Sequence, residues 1–125
     1  DKNNVVNIIN SKSYSLFWDR ILGGIPPNMS NEDPRCVKYL DGVLKLFDVK
    51  SMIIGHTPQY FAHHDGINKT CGDGLWRVDF GGSFGFHKFD KEFDNESNKA
   101  VDFRRAQVLR IRGDNRPEIL METKE

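Results

Sequence analysis

The side chains best placed to do chemistry gather around one histidine. His56 follows the compact apolar run Met52-Ile53-Ile54 and a glycine, Gly55, and is itself followed by Thr57-Pro58-Gln59. In open α/β sheets ligands collect at the carboxyl ends of strands. An imidazole presented there, beside a residue without a side chain, suits a metal ion or a phosphate. Taken alone, a single histidine after a strand is more often a hydrogen-bonded structural residue than a metal ligand. Asp79, near the end of a second apolar stretch over residues 75–80, can orient His56 or a neighbouring loop through a hydrogen bond, or face solvent.

Other residues of reactive type have plainer readings. His63-His64-Asp65 could be a metal cluster, but adjacent side chains diverge, and a polar turn before Gly66 is expected. His87 lies among aromatics, as a packed or surface residue does, and Trp18 and Trp76 read as core or pocket wall. Arg104 and Arg105 read as solvated charges at a strand start, with a local basic edge as the alternative. Asn-x-Ser/Thr sequons begin at Asn28, Asn68 and Asn95, and Arg112-Gly113-Asp114 matches an integrin-binding tripeptide; chance suffices for both.

Composition narrows the setting. The 125 residues are 38% hydrophobic and 29% charged, which suits one globular domain or a large piece of one and excludes disorder, collagen and coiled coil. Eighteen basic residues balance eighteen acidic ones, so no global field draws nucleic acid or anionic lipid, and neither is expected as a partner. No apolar run approaches the roughly 20 residues needed to span a bilayer. The polar start Asp1-Lys2-Asn3-Asn4 does not read as a signal peptide, and a cytoplasmic location is the default. The two cysteines, Cys36 and Cys71, match neither a zinc ribbon nor a redox pair, so two reduced thiols are expected ahead of a disulfide. The absence of an initiator Met suggests a fragment or processed product.

The elements that would position these residues are those of an α/β chain. Gly23-Gly24 and Pro26-Pro27 demand a loop after the aromatic stretch that ends near Arg20. Asp33 before Pro34 reads as an N-cap with proline at the first helical position. Val37, Leu40, Val43, Leu44 and Phe47 then give a 3.6-residue stripe, which predicts a helix burying that face. Residues 52–54 read as a strand buried on both faces. Residues 67–71 and 75–80 flank Gly72-Asp73-Gly74 as a hairpin. Residues 90–102 read as an exposed loop, and 106–111 and 118–121 as two last strands joined by a turn.

Taken in order, these blocks resemble the C-terminal half of the calcineurin-like metallophosphoesterases. They are most similar to the bacterial-type and Shewanella-like protein phosphatases. The resemblance rests on Ile53-Ile54-Gly55-His56-Thr57-Pro58-Gln59, on residues 71–79 and 81–85, and on Leu16-Phe17-Trp18-Asp19-Arg20, which is similar to a Leu-Trp-x-Arg element of those enzymes. It runs over residues 14–111. It implies that residues 1–125 are the C-terminal part of one phosphoesterase domain, a two-sheet sandwich with flanking helices. It also implies that His56 is a ligand of one of two divalent metal ions (Mn, Fe or Zn) and that Arg20 grips the substrate phosphate. The implied activity is hydrolysis of phosphomonoesters on protein or small molecules. The family's Asp-x-His, Gly-Asp-x-x-Asp and Gly-Asn-His-Glu motifs, which supply most ligands and the catalytic histidine, are absent from these residues. Pro58 stands where some members carry a further histidine ligand. Catalysis would therefore need an N-terminal half as partner, and the chain alone is expected to be inactive. The alternatives are a metal-free structural or interaction protein that keeps the fold, and a nucleotide or dinucleoside polyphosphate hydrolase.

Overall fold

The computed structural model describes residues 5–6, 19–62, 66–89 and 105–123. The expectations for Leu16-Phe17-Trp18, for His63-His64-Asp65, for the loop 90–102, for Arg104, for the Asn95 sequon and for the His87 side chain lie outside the described residues.

Within them the chain is a small mixed α/β structure with one helical segment and two small sheets. Helix α1 (residues 34–47) begins where Asp33 and Pro34 predict. The Asp33 carboxylate accepts the Arg35 backbone N–H at 2.9 Å and so satisfies one of the orphan donors of the first turn. Two α segments, Pro34–Cys36 and Gly42–Phe47, flank a wider π turn at Val37–Asp41. The helix stops at Asp48, which adopts a left-handed conformation (φ 50°) and donates its N–H to the carbonyls of the last turn.

The wide turn corrects the expected buried face. Cys36 and Leu40 are buried and Leu44 packs against them, whereas Val37 is half exposed and Leu46 and Phe47 are 78% and 68% exposed. A π turn takes an extra residue, so positions four apart stay aligned while a strict 3.6-residue stripe drifts off the core. The second correction concerns the cysteines, which are not reduced thiols. Cys36 and Cys71 form a disulfide that ties α1 to the end of the first hairpin strand. Together with Ile25, Leu40 and Leu75 they make the core.

The main sheet has the order β1-β3-β2, built from β1 (Met52–Ile54), β2 (Asn68–Thr70) and β3 (Leu75–Arg77). β2 and β3 form the hairpin predicted across residues 72–74, and Cys71 and Gly72 supply its positive φ values. β1 lies parallel to β3 with Ile54 opposite Arg77. β3 is shorter than its apolar pattern suggests. The Val78 N–H still reaches the Ile54 carbonyl, but the Asp79 carbonyl turns away to accept the Gln59 N–H at 2.8 Å. β1 is not buried on both faces either: Ile53 is 45% exposed. The second sheet is the expected antiparallel hairpin of β4 (Gln107–Arg110) and β5 (Glu118–Met121). It is attached to the first sheet by the Gln107 carboxamide, which accepts the Ile67 N–H, and by Arg116, which pairs with Asp73.

Candidate functional site

His56 sits at the carboxyl end of β1, exposed, with φ 69°. A left-handed conformation is uncommon for a residue with a Cβ and costs on the order of 1–3 kcal/mol, so it persists only where the surroundings enforce it. Here the next four residues enforce it. Thr57, Pro58, Gln59 and Tyr60 are all buried, so the chain must turn sharply from an exposed imidazole into the core.

Gln59 is the centre of that anchor. It is fully buried, and its carboxamide nitrogen donates to the Thr57 carbonyl at 2.9 Å and the Gly23 carbonyl at 3.3 Å. Its carboxamide oxygen accepts from the Asn68 Nδ2 at 2.9 Å. The Asn68 Oδ1 in turn accepts from the Arg77 guanidinium, which also donates to the Ile25 carbonyl. Arg77 is 1% exposed with no carboxylate in this set of bonds, and burial pushes its pKa down to about 10, leaving it charged at neutral pH. A desolvated cation surrounded by neutral oxygens is tolerable because the planar fork reaches both acceptors at once. Sequence pattern does not reveal this brace. Gln59 is visible within the Gly-His-Thr-Pro-Gln string, but strand alternation assigns Arg77 no special place, and only the tertiary fold brings the three side chains together.

The brace gathers the sequence-predicted residues at one end of the sheet. Asp79 leaves β3 beside the point where Gly55 leaves β1; a Cβ on Gly55 would lie 4.0 Å from that of Asp79. The Asp79 carboxylate accepts the Gly81 N–H at 3.1 Å and so shapes its own loop. Gly81 has a positive φ, and any Cβ there would collide with the Tyr60 ring, which makes glycine obligatory. Arg20 is exposed and opens the turn Leu22–Gly24, its carbonyl accepting the Gly24 N–H at 2.9 Å. That turn is pressed against the residue after His56: a Cβ on Gly23 would collide with the Thr57 side chain. Arg20, His56 and Asp79 thus belong to three segments that converge through Gly23, Thr57 and Gln59. Trp76 is buried, as expected, with its indole N–H on the Asp73 carbonyl.

His56 and Asp79 leave neighbouring strands at this end of the sheet, and Arg20 stands at the start of the turn that packs on Thr57. Among the described residues no three of His, Cys, Asp or Glu cluster as a metal site. These residues do not by themselves fit a dinuclear centre. Two grooves among the described residues, about 600 and 510 Å³, run along the β4–β5 hairpin and include none of Arg20, His56 and Asp79.

Comparison with known proteins finds similarity to a curated viral protein. The chain is 38% identical over 89 residues to the uncharacterized protein R398 of Acanthamoeba polyphaga mimivirus; the match takes in 67% of this chain and 35% of the relative. The chain thus spans about a third of that relative's length. No family model and no solved structure matches.

Proposed function

We propose that this chain is the C-terminal part of a two-sheet phosphoesterase sandwich that hydrolyses phosphomonoesters on protein or small molecules. An N-terminal half would complete its dinuclear metal centre. The observation that carries the reading is His56: an exposed imidazole, held in a left-handed conformation at the carboxyl end of a parallel strand by a buried Gln59 anchor. Backbone strain clusters at functional positions, and here it lies beneath an exposed side chain of reactive type. In such an enzyme a bound metal pair, Mn, Fe or Zn, would supply an activated water and neutralise phosphoryl charge. The chain's own part is to present the neutral His56 imidazole as a ligand, to hold the substrate phosphate with the Arg20 fork, and to keep the Asp79 loop in place behind them.

The experiment uses the full-length protein. Metal content and p-nitrophenyl phosphate turnover are compared in wild type, His56→Ala, His56→Gly and Arg20→Ala. The reading expects His56→Gly to lose metal and turnover as His56→Ala does, while gaining about 1 kcal/mol of stability because glycine accepts positive φ without cost. Arg20→Ala should raise KM and lower kcat/KM with metal content unchanged. Wild-type metal content and turnover in both His56 variants would remove His56 from the site.

A second reading, a metal-free interaction protein on the same fold, is favoured by the exposed apolar residues Leu46, Phe47 and Val49 at the end of α1. Full-length wild-type protein that binds no metal and turns over no phosphoester would select it.

A further inference from the structure

We propose that Asn28 is an acceptor for an N-linked glycan and that Asn68, which stands in the formally stronger Asn-Lys-Thr sequon, is not. The proposal rests on the disulfide and on the geometry of the two asparagines, independently of the phosphatase reading. A Cys36–Cys71 crosslink persists in oxidising compartments and is rare where thiols are kept reduced. The lipid-linked oligosaccharide that donates N-glycans is used in such a compartment, so a chain that acquires this bond there also meets the donor with its sequons.

The fold separates the two sites. Asn28 is exposed at the apex of a turn, with φ 57°, and its backbone N–H donates to the Lys69 carbonyl at 3.0 Å. That bond fixes the turn through the main chain and leaves the carboxamide at the surface. Ser30, the hydroxyl residue of this sequon, is exposed as well. Asn28 also borders the 600 Å³ groove, whose wall includes Ile67, Pro117 and Ile119, an apolar surface on which a first sugar can lie.

At Asn68 both Nδ2 hydrogens are spent inside the fold, one on the Gln59 Oε1 at 2.9 Å and one on the Gly66 carbonyl at 3.0 Å. The Thr70 hydroxyl is committed too, donating to the Pro26 carbonyl at 2.6 Å and accepting the Met29 N–H at 3.3 Å. In the transfer, Nδ2 attacks C1 of the sugar carried on a polyprenyl diphosphate. The N–C1 bond forms, the C1–O bond breaks with its electron pair going to the diphosphate, and one Nδ2 proton passes to a base of the transferase. The product keeps a single Nδ2 hydrogen. At Asn68 that would leave two buried acceptors sharing one donor and would force a sugar into the brace that holds Arg77. At Asn28 no described hydrogen bond of the fold is lost.

The test takes the full-length protein, made in its own host, as wild type and as Ser30→Ala. Peptide N-glycosidase in heavy-oxygen water converts a glycosylated asparagine into a labelled aspartate, and peptide mass spectrometry locates it. Label at residue 28 with none at residue 68 is expected. Ser30→Ala should lose that label, while enzymatically deglycosylated wild type melts at the same temperature as the variant. An unlabelled residue 28, label at residue 68 in folded protein, or free thiols at Cys36 and Cys71 on alkylation of the denatured, unreduced protein would each overturn the proposal.

Discussion

The two sheets are held by opposite physics. Under β1, β2 and β3 lies a desolvated assembly: the Cys36–Cys71 crosslink and core, and next to them on the same face of the sheet the Gln59–Asn68–Arg77 brace. The β4–β5 hairpin leaves all four residues of β5 exposed. Apart from the bond between the Ile67 N–H and the Gln107 carboxamide, it is secured by charges in water, Arg110 with Glu118, Arg116 with Asp73, and Lys50 with Asp114 at 3.8 Å. Surface ion pairs stabilise by little and are screened by salt, whereas buried crosslinks and satisfied polar networks are not. The candidate site therefore stands on the part of the molecule that solution conditions alter least.

The largest expected effect comes from cutting the crosslink. It closes a loop between residues 35 apart in sequence, for which restriction of the unfolded chain gives about 4 kcal/mol. Cys36→Ala/Cys71→Ala should lower the urea midpoint accordingly, and reductant should do the same to wild type while leaving the double variant unmoved. If reductant shifts the two proteins equally, the crosslink is not what stabilises the first sheet.

How much of this was legible in the sequence follows the same division. The start of α1 at Asp33-Pro34 and both hairpins are set by residues adjacent in the chain, through capping and turn chemistry, and the sequence placed them correctly. What failed depended on partners far away. Leu40 and Leu44 of the predicted stripe face the core, but Val37 and Phe47 at its ends do not, and Cys36 turns inward instead because the π turn shifts the register and the bond to Cys71 fixes which side of the helix faces in. A buried Arg77 is equally invisible to local pattern, since its acceptors are Asn68, nine residues away, and Ile25, 52 residues away. His56 was legible as a candidate, but the reason it is held where it is, the Gln59 anchor, was not.

The second prediction sharpens the contrast inside the first sheet. Arg77→Ala strands the Asn68 Oδ1 and the Ile25 carbonyl in the interior, and two unsatisfied acceptors together with a cavity should cost about 3 kcal/mol. Arg77→Lys should recover only part of the loss, because an ammonium cannot span both acceptors with the geometry of the fork. Neither loss should change between low and moderate salt. A salt-dependent loss would mean that the guanidinium is acting as a surface charge, and the distinction between the two sheets would fail.

The smallest effect belongs to the hairpin, and its sign with pH is fixed by the ion pair. The Glu118 carboxyl is held below the ordinary glutamate range, first by its hydrogen bonds from Arg110 and then by the charges of Arg110 and Arg112. A carboxylate whose pKa is depressed by folding contributes stability that is complete above the unfolded-state value, about 4.3. That contribution disappears as pH falls through the lower folded-state value. Acidification from neutral pH should therefore leave the hairpin unchanged until below about pH 4 and loosen it beyond that. Asp33 adds to the same acid loss at the other end of the chain, because hydrogen bonds from Arg35 hold its pKa at about 2. Carboxyl chemical shifts followed against pH would resolve the two. Arg110→Ala should return the Glu118 midpoint toward the ordinary range and leave Asp33, whose partner Arg35 is on its own helix, unmoved, while added salt should raise both midpoints by less. A Glu118 midpoint indifferent to both changes would show that the hairpin is held by its apolar residues Val108 and Leu120, and not by charge.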